Sequence, residues 1–441
     1  MKKHIINLLI FLLSFLSIEA QDVYSLQRCL EVGLAQNYDI RIVRNEEQIT
    51  NNNTTIGNAG YLPVLGLNGE ISGSLNDITQ YPIEGKKEQW QGINNNTMAV
   101  GLNLDWMIFD GFKIQANHNR LKELQQMGAL QTRITIENFI SDLVTEYYNY
   151  IRQNISMTNL KTAVALSKER LRIVEARYNI GSMSRLDLQQ ARVDFNTDSS
   201  RLLRQSEALH ASRIRLNELM AIDNINQNTV IVDSTIKYNA SLKQDVVWAK
   251  TLSSNAYLLL AEKNKTLSEI EYKMIQSRNY PYLKLNAGYG YSQNRYGTGS
   301  YDRQDVLGLN YGLTLGFTVF DGMNRRREQK NAHITIENRN LQQQQLALSI
   351  AADFANIWMA YRNNIELVNL EKGNMKAAQE YYEIAIARYK LGDLSGIELR
   401  EAQNNLLLAE ERMLLAEYNT KLCEISLLQL SGQIGEYAVV P

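Results

Sequence analysis

Two stretches of this chain alternate between apolar and polar or small residues, and they are copies of one another. Gly101-Leu102-Asn103-Leu104-Asp105-Trp106-Met107-Ile108-Phe109-Asp110-Gly111 recurs as Gly312-Leu313-Thr314-Leu315-Gly316-Phe317-Thr318-Val319-Phe320-Asp321-Gly322, 211 residues later. A period of two predicts strands whose faces differ chemically. Each copy is preceded by a second alternating run. In the first half Leu65, Leu67, Ile71 and Leu75 oppose Gly66, Asn68, Glu70, Ser72 and Ser74; in the second Leu283, Leu285, Ala287, Tyr289 and Tyr291 oppose Lys284, Asn286, Gly288, Gly290 and Ser292. The polar stretches Asn76 to Asn96 and Gln293 to Gln304 are expected to be the hairpin loops, on their Pro, Gly and Asn content.

After each Phe-Asp-Gly the period changes to a helical one. Gly111 to Gly181 and Gly322 to Gly392 contain no proline and one internal glycine each, Gly128 and Gly373. A continuous helix of that length is on the order of 100 Å long at ~1.5 Å per residue. Both end alike, in Ala176-Arg177-Tyr178-Asn179-Ile180-Gly181 and Ala387-Arg388-Tyr389-Lys390-Leu391-Gly392, again offset by 211. The chain therefore reads as a duplication. The first repeat, 21–222, is expected to hold a helix from about Ser25 to Asn58, a hairpin over 64–109, a long helix over 112–180 and a return helix over 185–221. An irregular connector, 223–244, leads to the second repeat, 245–431, with a helix to Arg278, a hairpin over 282–320, a long helix over 323–391, a return helix over 395–430 and a tail, 432–441. In the final helix Leu399, Ala402, Leu406, Ala409, Met413, Ala416 and Cys423 keep coiled-coil spacing, whereas Asp198, Gln205 and Ser212 interrupt the matching stripe.

The N-terminus reads as a secretory signal: Lys2 and Lys3, then an apolar run from Ile5 to Ile18, with cleavage expected after Ala20. No later stretch is apolar enough for a spanning helix, so a membrane span must be β. A net charge of −1 offers no footprint for nucleic acid, and four scattered histidines without a Cys/His cluster argue against a metal site. No nucleophile triad, phosphate loop or cofactor fingerprint is present, so an enzyme is not expected. Export makes a Cys29–Cys423 disulfide possible, and two free thiols are the alternative.

Strands of this length with one apolar face and one polar or glycine face are the pattern of a transmembrane barrel. The expected lumen-facing residues include Asn68, Glu70, Asn103, Asp105, Asn286, Gly312, Thr314 and Gly316. One chain supplies four strands, too few to close a barrel, so the chain must oligomerise; two copies give 8 strands and three give 12. The long helices likewise need lateral partners.

The duplication, the Pro-started strands, the Phe-Asp-Gly exits and the Arg-Tyr-x-x-Gly turns together resemble the TolC-like outer membrane efflux protein family across essentially the whole mature chain. The resemblance implies a mixed α/β membrane protein: a homotrimer with a 12-stranded β-barrel in outer membrane lipid and an α-helical barrel in the periplasm. It implies a passive exit duct, without cofactor, joined through a periplasmic adaptor (membrane fusion) protein to an inner-membrane pump of RND or ABC type. The same duct in type I protein secretion and a non-conducting coiled-coil or adhesin oligomer remain alternatives. It also implies two sites. The helical tips that meet the adaptor correspond to Arg177, Tyr178, Gly181, Ser184, Leu186, Arg388, Gly392, Ser395 and Ile397. The pore constriction corresponds to Glu398, Glu401 and Tyr389, with Asp187 and Gln190 as first-half counterparts. Stacked acidic rings there would select cations and raise one another's pKa; the plainer alternative is a solvated face pairing with Arg400 or Lys390. Leu394 stands where a basic residue is found in the family's best-known member.

Overall fold

The computed structural model describes residues 23–439, so the expected signal segment lies outside the described residues. In chain order the elements are β1 (Val23–Tyr24), α1 (Leu26–Gln36), α2 (Tyr38–Asn53), α3 (Ile56–Ala59), β2 (Val64–Gln80), β3 (Glu88–Phe109), α4 (Lys113–Asn179), α5 (Arg185–Leu219), β4 (Val230–Ile231), α6 (Gln244–Ser254), α7 (Ala256–Gln276), β5 (Tyr282–Arg295), β6 (Arg303–Gly316), α8 (Asn324–Leu391), α9 (Gly396–Leu430) and α10 (Glu436–Val439). They form two compact units. Among the described residues, one comprises 23–45, 130–259 and 345–439; the other comprises 46–129 and 260–344. No helix among the described residues is long and apolar enough to cross a membrane.

The second unit is built on a four-stranded antiparallel sheet in the order β2-β3-β5-β6. The register carries the alternation across all four strands. Leu67 opposes Leu102, Leu102 opposes Tyr289 and Tyr289 opposes Leu309, while Gly66, Asn103, Gly288 and Asn310 align on the other face. The apolar face is open to its surroundings in the single chain: Ile71 is 82 % exposed and Tyr311 81 %. β2 and β6 are the sheet's edges.

The loops are shorter than expected. β2 continues to Gln80 and β3 starts at Glu88, so most of Asn76 to Asn96 is strand, and the second loop shrinks to the residues between Arg295 and Arg303. Polar side chains do not prevent pairing where the ladder is already running and the side chains are solvated. Instead they pair across it: Gln89 Nε2 donates to Thr79 Oγ1, and Tyr291 Oη donates to Asp305 Oδ1. The return strand of the second hairpin stops at Gly316, four residues before the expected Phe320. Pairing ends where β5 begins, beside Pro281, which offers no N–H. The Thr318 and Val319 carbonyls accept instead from Arg325 Nη2.

Both Phe-Asp-Gly exits are strand-to-helix turns. The Asp110 and Asp321 carboxylates accept from the amides of Ile114 and Arg325 in the first helical turn. Gly111 has φ 72°, and a Cβ there would collide with the Ser277 carbonyl, so both conformation and room demand glycine.

In the other unit, a core of Cys29, Leu30, Ile40, Phe139, Leu143, Tyr147, Leu216 and Met220 gathers the start of the chain against α4 and α5. The helix expected over Ser25 to Asn58 is broken at Asn37 and again at Thr54 and Thr55, and the one expected over Asp245 to Arg278 is broken at Asn255. Asn37 Oδ1 accepts from the Asp39 and Ile40 amides, and its Nδ2 donates to the Leu219 carbonyl. Asn255 Oδ1 accepts from the Tyr257 and Leu258 amides, and its Nδ2 donates to the Leu430 carbonyl. Each asparagine thus caps the start of one helix and the end of a return helix, satisfying donors and acceptors that helix ends leave open. The connector is not wholly irregular: Val230 and Ile231 pair in parallel with Val23 and Tyr24. Tyr147 Oη donates to Asp233 Oδ2 at 2.6 Å behind that pair.

Candidate pore-lining and helical-tip sites

The tips are helical hairpins whose turns hold five residues in the first, Ile180 to Ser184, and four in the second, Gly392 to Ser395. In the first, Gly181 N–H donates to the Tyr178 carbonyl and Ser182 N–H to the Arg177 carbonyl; in the second, Gly392 donates to Tyr389 and Asp393 to Arg388. This is a Schellman ending, and the glycines sit at φ 80° and 83°, where a Cβ is penalised. The Arg-Tyr-x-x-Gly spacing is therefore the spacing of the hydrogen bonds that stop the helix. Three residues after each glycine a serine starts the return helix. Ser184 Oγ accepts from Asp187 N–H at 3.1 Å and the Asp187 carboxylate accepts from Ser184 N–H at 3.2 Å; Ser395 and Glu398 make the same pair at 3.2 and 2.9 Å. These are capping boxes. The signal was available in the sequence as Ser-x-x-Asp and Ser-x-x-Glu.

The constriction residues take different positions. Glu398 and Glu401 are exposed on one face of α9, and Asp187 and Gln190 are exposed on α5. Hydrogen bonds from Ser395, together with the Arg388 charge, hold the Glu398 carboxyl below the usual carboxylate range, so within one chain the environment opposes the expected upward shift. Tyr389 is not on that face. It is 6 % exposed and packs with Ala385, Leu399 and Ala402 between the long and return helices, while its counterpart Tyr178 is 38 % exposed. Arg400 does not turn to Glu398 or Glu401; it turns inward. Its Nη1 and Nη2 donate to both carboxylate oxygens of Asp198, at 2.6 and 2.7 Å, and its Nε lies 3.8 Å from Asp194. Asp194 also pairs with Arg170 and accepts from Gln190 Nε2 at 3.0 Å, and Arg170 Nη1 donates to the Gly396 carbonyl at 3.3 Å. This buried network joins the helices of the first repeat to α9. Sequence reasoning passed over it, marking Asp198 only as an interruption.

Of the tip residues, Arg388 closes on the turn, donating to Asp393 Oδ2 from Nε and Nη2 at 3.2 and 3.1 Å. Leu186 and Ile397 are 78 % and 71 % exposed, and Ile180 and Leu391, not anticipated, are 80 % and 85 % exposed beside the two glycines. Each tip thus presents bare apolar side chains around a rigid polar turn.

On the sheet, Asn68, Glu70, Asn103, Asp105, Asn286 and Gly312 share the polar face, where a groove of about 440 Å³ runs over Asn68, Asn103, Gly288 and Asn310. Thr314 and Gly316 continue that face; Gly316 lies under the Tyr282 ring. Asp105 Oδ1 is 2.7 Å from Lys284 Nζ and accepts from Asn286 Nδ2. The cysteines are free thiols. Cys29 is fully enclosed, with burial pushing its thiol up to about 12, and Cys423 is half-buried in a different cluster.

The outer membrane efflux protein family model matches residues 30–221 and 248–433. The outer membrane protein TolC of Escherichia coli K12 is 21 % identical over 393 residues, covering 85 % of this chain and 75 % of its own. The outer membrane efflux protein BepC of Brucella suis is 20 % identical over 406 residues, covering 88 % and 80 %. The same fold is found in the Campylobacter jejuni CmeC outer membrane channel, with a TM-score of 0.79 at 17 % identity over 92 % of this chain and 85 % of that one. Vibrio cholerae VceC gives a TM-score of 0.76 at 14 % identity, covering 92 % and 96 %. With one matched segment in each half and most of the sequence inside them, the chain belongs to the outer membrane efflux protein family.

Proposed function

We propose that this outer membrane protein is the passive exit duct of a tripartite efflux system. Three chains contribute four strands each to a 12-stranded barrel, and their helical parts form a periplasmic tube whose tips engage an adaptor. The adaptor couples the duct to an inner-membrane pump of RND or ABC type, which supplies the energy. The observation that carries the reading is the sheet. It has two unpaired edges, an apolar face left bare in the single chain, and a polar, glycine-rich opposite face. In hydrocarbon an open edge leaves backbone groups unsatisfied, so copies that pair edge to edge resolve both problems at once.

In the helical part, Glu398 and Glu401 form the acidic constriction, and Arg177, Tyr178, Gly181, Ser184, Leu186, Arg388, Gly392, Ser395 and Ile397 form the adaptor-facing tips. The bare Leu186 and Ile397 side chains support adaptor docking. Tyr389 supports the constriction from behind, by packing.

The test is planar-bilayer conductance of detergent-extracted, size-defined protein, with and without the Glu398→Ala/Glu401→Ala substitutions. A small, cation-preferring current that grows in the double variant is expected. Absence of current from both, in a protein that remains oligomeric, overturns the duct. Current of unchanged size and ion preference in the variant overturns the acidic constriction alone.

A further inference from the structure

Asparagine and glycine are interleaved on the polar face of the sheet. Gly66, Asn103, Gly288 and Asn310 stand side by side across the four strands, and Asn68, Gly101, Gly290 and Gly308 form the next row. The glycines are not equivalent. A Cβ at Gly308 or Gly312 would meet nothing within 4 Å, so those positions tolerate a side chain. A Cβ at Gly288 would collide with Asn310 Oδ1 and come within 2.8 Å of Asn103 Oδ1. The two amides therefore lie flat across the Gly288 backbone, one from each neighbouring strand. An asparagine flanked by larger residues has to stand up from a sheet; beside a glycine it lies down, since no Cβ holds it off.

The charges on this face are few. Asp105 and Lys284 neutralise one another at 2.7 Å, which leaves Glu70 among the residues lining the groove. The wall around Gly288 offers amide donors and acceptors without net charge.

We propose that Gly288 is a positioning residue for conduction: it seats the amides of Asn103 and Asn310 against the wall, and this seat sets the width of the duct at that level. The proposal rests on the reading of this face as the lumen. The wall so made hydrogen-bonds polar solutes of either charge or none, and it discriminates by size.

The experiment compares single-channel conductance, the size of polyethylene glycol that enters the pore, and reversal potential for the purified full chain and its variants. Gly288→Ala is expected to lower conductance and exclude smaller polymers with no change in reversal potential, since the displaced amides are neutral. Gly308→Ala, one row away on the same face, is expected to match the unsubstituted protein. Adding Asn103→Ala and Asn310→Ala to Gly288→Ala removes the displaced groups and is expected to restore conductance. Gly312→Trp reports on the lumen reading independently. A loss of current there with none in Gly288→Ala overturns the seat alone; no effect in either overturns the lumen reading as well. Should Gly288→Ala fail to assemble, the triple variant is expected to assemble, because the collision is with those two amides, and its failure to do so overturns the proposal.

Discussion

Removing the Asp198 carboxylate is the most direct probe of how the two repeats are held together near the tips. The Asp198 side chain is fully enclosed, and Arg400, 12 % exposed, reaches it with both terminal nitrogens. Taking away one partner of a buried pair strands the other charge and costs about 3–5 kcal/mol. The lower end applies, because Asp194 remains 3.8 Å from Arg400 Nε and Gln403 Oε1 accepts from Arg400 at 3.4 Å. At ~1.4 kcal/mol per tenfold, ~3 kcal/mol raises the opening of the local helices on the order of a hundredfold. The assay is amide hydrogen exchange, read by mass spectrometry on peptides from α5 and α9 flanking Asp198 and Arg400 in the solubilised protein. Asp198→Ala is expected to accelerate exchange by about that factor, and Arg400→Ala by at least as much, since it leaves two neighbouring aspartates. Asp198→Ala with Arg400→Ala is expected to recover most of the protection, because no uncompensated charge is left buried. Unchanged exchange in the single variants, or a double variant equal to the sum of the two, refutes the argument.

The remaining predictions concern the tips and the thiols. Ser395→Ala removes an N-cap, at about 1 kcal/mol, and is expected to raise exchange in the first turn of α9 roughly fivefold, with no comparable effect at Ser184. Because the Glu398 pKa is lowered on folding, its contribution to that cap is present above the ordinary carboxylate pKa and is lost as pH falls through the folded value. First-turn exchange, corrected for its intrinsic pH dependence, should therefore rise on acidification in the unsubstituted protein and stay flat in Glu398→Gln. Gly392→Ala forces a Cβ into a left-handed turn at a cost of about 1–2 kcal/mol, which circular dichroism melts of the helical signal should register; an unchanged melt would show that the turn relaxes. Cys29 is expected to resist maleimide at neutral pH while Cys423 is modified first, as mass spectrometry of the labelled peptides can decide.

What was legible in the sequence followed from periodicity. Residues with a period of two became strands because alternation gives a sheet one apolar and one polar face, and the long proline-free stretches became helices because nothing interrupts them. The boundaries missed were those fixed by single side chains. Asn37 and Asn255 break their helices because each amide bridges two helix ends, and one of those ends lies far along the chain, at Leu219 or Leu430. The hairpin loops were drawn too long because composition was read as a stop signal where pairing with the neighbouring strand decides. Among the site residues, the capping roles of Ser184, Asp187, Ser395 and Glu398 were local and open to inspection. The burial of Tyr389 was not, since Tyr178 occupies the same motif and stays exposed.

The same distinction explains why the coiled-coil stripe differs between the repeats. Asp198, Gln205 and Ser212 recur every seven residues on α5, and each is met from across the helix interface. Asp198 meets Arg400; Gln205 Nε2 donates to the Gln153 carbonyl at 2.9 Å; Ser212 donates to Glu146. Gln153 and Glu146 are themselves seven apart on α4, so the contacts recur along one face of the helix pair. Buried polar groups without partners cost about 1–3 kcal/mol each, and a ladder of them fixes the register of an antiparallel pair more sharply than leucines can. The positions 211 residues later are Ala409 and Ala416, whose methyl groups need no polar partner, and Cys423, whose Sγ accepts from Asn364 Nδ2 at 3.7 Å. Gln205 and Ser212 thus tie α5 to α4 within the first hairpin, Arg412 Nε, 3.1 Å from Glu371, ties α9 to α8 within the second, and Arg400 reaches across from the second to Asp198 in the first. The second hairpin, which carries Glu398 and Glu401, is joined to the first not by Arg400 alone but also by Arg170, which donates to the Gly396 carbonyl, and by Gln403, which donates to the Ala163 carbonyl, so any movement of that hairpin requires the whole set to yield.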